Sequence, residues 1–122
     1  MDLKSKLYLI DDNGDKFMGI GVMWLLERIS STSSLRKAAA DMDISHSKAF
    51  TMIKNLETGL GMNVIIRQKG GQSRDGAQLT EFGLKFLELY RNFNSTAKRA
   101  LEEPYEEFCS NLSKLMEEEQ NG

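Results

Sequence analysis

Apolar positions along this chain change their period several times, and each change predicts an element. In LYLIDDNGDKFMGIG, residues 7–21, loosely alternating apolar positions surround Asp-Asn-Gly, a strong turn signal. A strand near residues 6–10, a tight turn and a short return strand are expected. Val22, Leu25, Leu26 and Ile29 then recur at helical spacing, and the cluster SSTSS that follows marks a loop, so a first helix is expected over residues 19–29 with Trp24 in the core. Ser33 or Ser34 can cap a second helix in which Leu35, Ala38, Ala39 and Met42 fall at i, i+3, i+4 and i+7. Its buried side is small, which allows another helix to approach closely. Residues 41–44 break the pattern, and Ser45 can cap a third helix running to about Thr58.

The third helix has two unlike sides. At about 100° per residue, Ala49, Ile53, Leu56 and Leu60 gather on one side, and Ser47, Thr51, Lys54 and Thr58 lie directly opposite. With His46 and Lys48 beside them, these hydroxyls and cations are able to donate to phosphate oxygens or to base edges in a major groove, where an α-helix fits. A polar stripe of this kind by itself is more often an ordinary solvated face. The next segment alters that balance: residues 64–67 and 77–80 read as two strands joined by a loop rich in glycine and basic residues, with Arg67, Lys69, Gly70, Gly71, Arg74 and Gly76. Glycines allow close approach to a phosphate chain, and the long cations neutralise phosphates or enter a minor groove. A helix-turn-helix pattern followed at once by such a wing is more specific than either part.

Thr80 caps the next helix, where apolar residues from Phe82 to Leu101 continue at mixed helical spacing for about six turns, ending near Glu103. That apolar surface exceeds what a small domain covers, so this helix is expected to pack against a second copy and present two reading helices to two half-sites. Pro104 suits the first turn of a further helix, whose stripe is Tyr105, Phe108, Leu112, Leu115 and Met116. The expected fold is mainly α with a small β wing: a winged helix-turn-helix over residues 1–80, including the N-terminal β-hairpin, and a long dimerisation helix with an acidic helix over residues 81–122.

Charge supports this division of labour. The net charge is only −2, but residues 28–74 hold eight basic and three acidic side chains, a net +5, and residues 101–122 hold one basic and seven acidic ones, a net −6. One surface suits an anionic partner and another avoids it. With 122 residues, 40% of them hydrophobic, the chain can bury one core. Its apolar runs are far short of the roughly 20 residues that span a bilayer, and its first residues lack a cleavable apolar segment, so a cytoplasmic protein with no membrane partner is expected. The single cysteine, Cys109, reads as a small buried apolar residue. An enzyme is disfavoured: the one histidine, His46, has no cysteine or carboxylate constellation beside it, and phosphate-loop, zinc and nucleophile-elbow motifs are missing. No cofactor or metal site is expected. The alternative is a winged helix that binds protein without specific DNA binding.

The segment from Leu35 to Leu56, followed by IIRQKGGQSRDGAQLTEFGLKFLELY, resembles the winged helix-turn-helix of the molybdate-responsive (ModE-type) transcriptional regulators, a branch close to the LysR-type DNA-binding domains. The likeness runs from about Leu7 to Phe93 and is most specific at Gly76, Ala77, Leu79, Thr80 and Gly83. It implies a dimeric bacterial regulator that binds double-stranded DNA through its third helix. Carried over by position, Ser45, His46, Ser47, Lys48, Thr51 and Lys54 would lie on or beside the reading surface, with Arg67, Lys69 and Arg74 in the wing. The turn before the third helix, where glycine is frequent, holds Asp43. Full-length members of that family also carry C-terminal oxyanion-binding modules, which this sequence lacks, so molybdate sensing by this chain alone is not expected.

Overall fold

The computed structural model describes residues 1–67 and 76–122, and the chain divides into two compact units, one of residues 6–91 and one of residues 1–5 with 92–122. The elements in order are β1 (Leu9–Ile10), β2 (Lys16–Met18), α1 (Ile20–Thr32), α2 (Leu35–Asp41), α3 (His46–Leu60), β3 (Ile65–Arg67), β4 (Ala77–Leu79), α4 (Glu81–Ala100) and α5 (Glu102–Asn121).

In the larger unit β1 and β2 form the expected antiparallel hairpin, although only Leu9 and Ile10 pair. The turn is held locally: Asp11 Oδ1 accepts the N–H groups of Asn13 and Asp15, each at 2.9 Å, and Gly14 takes the left-handed φ of 84°. Helix α1 runs one turn beyond its expected end. Thr32 Oγ1 donates back to the Arg28 carbonyl at 2.6 Å and Ser31 Oγ to the same carbonyl at 3.2 Å, so the hydroxyls support the helix that their clustering was read as ending. Trp24 is 45% exposed and is not core. Ser34, not Ser33, caps α2, with its Oγ accepting from Lys37 N at 3.1 Å; Ser33 instead closes α1 in the left-handed conformation.

The tri-helical core is built from Leu25, Leu26 and Ile29 of α1, Leu35, Ala38 and Ala39 of α2, and Ala49, Ile53 and Leu56 of α3. Each large aliphatic member contributes on the order of 1.5–3 kcal/mol, and the alanines let α2 seat closely against its neighbours. Asp43 adopts φ 58°, the conformation that a glycine at this turn would take. Strands β3 and β4 pair antiparallel, Ile65 with Leu79 and Arg67 with Ala77. The outer edge of β4 is tied to the α1–α2 connection, where Ala77 N donates to the Ser33 carbonyl at 3.0 Å and Gly76 bridges Ser34.

Thr80 caps α4 as expected. Its Oγ1 accepts from Gly83 N and donates to the Asn63 carbonyl, both at 2.9 Å. Leu87 and Tyr90 of α4 complete the core, with the Tyr90 hydroxyl donating to the Leu7 carbonyl; burial raises the pKa of that hydroxyl. In the smaller unit the helical ladder is interrupted at Leu101, two residues before the expected break. The N–H that would bond to the Ala100 carbonyl belongs to Pro104, which has none. Tyr105 donates to the Met1 carbonyl at 2.9 Å, and Cys109 is half-buried instead of fully enclosed.

Candidate nucleic-acid interface

The α2–turn–α3 unit starts from its caps. Ser45 has extended backbone, and its Oγ accepts from Lys48 N at 3.0 Å, which fixes where α3 begins. From that start the helical period leaves Ala49, Ile53 and Leu56 buried and Ser47, Lys48, Thr51, Lys54 and Thr58 exposed. Ser45 is also exposed, but its hydroxyl is engaged by the cap. His46 is half-buried, and its Nε2 is covered with no hydrogen-bond partner, so that nitrogen is turned away from any ligand.

Two residues that the sequence reading left out of the site organise it. Glu57, on α3, is nearly covered; its Oε2 accepts from Val64 N at 2.9 Å and from Ile65 N at 3.5 Å, pinning the start of β3 to the helix. Its Oε1 lies 3.9 Å from Lys54 Nζ, an ion pair that leaves the Lys54 side chain 61% exposed. Phe50 is the other. Its ring is partly exposed, with Lys54 Nζ 5.5 Å and the Arg67 guanidinium carbon 5.6 Å from its centroid. A cleft of about 140 Å³ opens there between α3 and β3. Thus Arg67, the first basic residue after β3 begins, stands beside α3. The signal for Phe50 was legible as an aromatic residue four positions before a lysine and off the apolar stripe. Glu57 had no comparable signal, because its partners lie beyond a turn.

Lys69 and Arg74, together with Gly70 and Gly71, lie outside the described residues. Among the described residues no group of histidine, cysteine and carboxylates could hold a metal ion, and no helix is long and apolar enough to cross a membrane.

Three helices, a tight turn into a polar-faced helix and an antiparallel strand pair after it define a winged helix-turn-helix domain. The model of the bacterial regulatory helix-turn-helix proteins of the lysR family matches residues 23–84, half of the chain, and the chain belongs to that family. It is 29% identical over 98 residues to the molybdenum transport protein ModE of Azotobacter vinelandii, covering 80% of this chain and 33% of that protein, so it spans about a third of this relative's length. Among solved structures it resembles the CbnR DNA-binding domain in complex with DNA, with a TM-score of 0.56 and 23% identity over 68% of this chain and 90% of that one. It also resembles the BenM DNA-binding domain in complex with its benA site 1, with a TM-score of 0.52 and 20% identity over 69% of this chain and 89% of that one.

Proposed function

We propose that the chain is a sequence-specific, double-stranded-DNA-binding transcriptional regulator, acting in the cytoplasm as a homodimer. Helix α3 enters the major groove, and the basic wing lies on the adjacent backbone or in the minor groove. The observation that carries this reading is the exposed polar face of α3, with Ser47, Thr51 and Lys54, immediately beside the strand that delivers Arg67. Ser45, Lys48 and one edge of His46 flank that face, and Lys69 and Arg74 extend the basic wing in sequence. Residues 1–80 serve as the DNA-binding domain and residues 81–122 as the dimerisation region. The exposed Leu89 of α4 belongs to the apolar surface that a second copy would cover. The likeness to ModE supports a ModE-like branch for the DNA-binding domain, and the two solved relatives supply DNA complexes as precedent for the fold.

Selection of bound duplexes from a random pool by the full chain tests the proposal. Enrichment of a site with two related half-sites is expected. Lys54→Ala is expected to reduce discrimination between that site and scrambled duplex by about tenfold per half-site, the scale of one lost base contact. A pool that fails to enrich any site would overturn the reading.

A further inference from the structure

We propose that Phe50 reads thymine, its ring meeting the 5-methyl group of a thymine in the major groove; this deepens the DNA-reading proposal and rests on it. On α3 the core-facing Ala49, Ile53 and Leu56 are at most 1% exposed, whereas Phe50 remains 36% exposed on the flank shared with Lys54. That leaves an apolar ring, about a third of its surface open, within the otherwise polar edge of α3. Two cations face the ring, Lys54 Nζ at 5.5 Å and the Arg67 guanidinium carbon at 5.6 Å from its centroid. Those cations come from the reading helix and from the wing strand, so Phe50 lies where the two meet.

The chemistry of the groove then selects the target. Major-groove base edges display carbonyl and ring-nitrogen acceptors, amino donors and one apolar group, the thymine methyl. A phenyl ring pressed on a donor or acceptor would strip it of water and offer no hydrogen bond in return, which costs free energy. The thymine methyl loses nothing by that contact. Lys54 and Arg67, drawn to phosphate or to neighbouring acceptor edges on binding, would leave the ring between them aimed at the base.

Burying one methyl-sized group is worth about fourfold in affinity, from roughly 0.8 kcal/mol per carbon, and so about fifteenfold when two half-sites are read. The experiment uses the full chain and its selected duplex, with each thymine replaced in turn by uracil, which pairs identically and lacks only the methyl. One position per half-site is expected to lose about fourfold. With Phe50→Ala the loss at that position should vanish while other positions respond as before, and Phe50→Leu, which keeps an apolar tip, should retain part of it. The uracil scan of the unmodified protein stands even if the alanine variant folds poorly. Unchanged binding to a fully uracil-substituted operator, or the same uracil sensitivity in Phe50→Ala, would overturn the thymine assignment and leave DNA reading intact. Failure to select any operator would overturn both.

Discussion

Gly83→Ala is expected to destabilise the larger unit by about 2–4 kcal/mol, a large share of the roughly 5–15 kcal/mol that folds a domain. Alanine ordinarily favours a helix over glycine by about 1 kcal/mol, so the sign is set by contact and not by propensity. A Cβ at residue 83 would stand 2.3 Å from the Val64 carbonyl oxygen, and that oxygen is backbone, already accepting Thr80 N at 2.9 Å. Making room means lifting α4 from the head of β3, which also breaks the Thr80 bonds to Gly83 N and to the Asn63 carbonyl. Gly21 provides the comparison: its Cβ would meet nothing within 4 Å, so Gly21→Ala in α1 is expected to stabilise by about 0.5–1 kcal/mol. Urea unfolding followed by circular dichroism should therefore move the two midpoints in opposite directions. Similar small shifts for both would refute the close approach at Gly83.

Glu57→Ala should cost about 2 kcal/mol, the scale of leaving a buried N–H unsatisfied after losing a bond to a charged acceptor. Val64, whose N–H Glu57 holds, is fully buried, and water has little access to replace the carboxylate. Glu57→Gln keeps an acceptor oxygen without the charge and is expected to recover about half of that loss. The alanine variant is also expected to bind DNA more weakly, since Glu57 anchors the strand that brings Arg67 to Phe50. Thermal melting combined with duplex titration checks both effects. Undiminished stability in Glu57→Ala would show that the carboxylate does not pin the wing.

Much of the fold was legible because local chemistry and packing agreed. Ser34 and Ser45 are caps whose hydroxyls satisfy helix N–H groups, and the stripes Leu35, Ala38, Ala39 and Ala49, Ile53, Leu56 are buried at the helical period. The wing strands emerged within one residue of their expected bounds, because Gly76 and the cap Thr80 delimit β4. The errors share a cause: a residue type was assigned its commonest environment. Residues 30–32 were read as loop although two of their hydroxyls bond back to Arg28, and Trp24 was read as core on a helix whose buried side was already filled by Leu25, Leu26 and Ile29. Reading the site as a row of polar side chains left out Phe50, whose ring contacts include Arg67, seventeen residues away and on another element. Glu57 was invisible for the same reason, since a hydrogen bond to a backbone seven residues later leaves no periodic mark.

Electrostatic capture of duplex DNA by the flank carrying Ser47, Thr51, Lys54 and Arg67 is the property on which the proposed function depends. It is tested most directly by the affinity for one selected duplex measured over a series of salt concentrations. Capture of about five phosphates by each protomer, and so about ten by a dimer on two half-sites, predicts a straight double-logarithmic plot of slope about −9, equivalent to roughly 10^5-fold weaker binding on going from about 50 to about 200 mM salt. A slope near zero would contradict the account and favour a winged helix that binds protein instead.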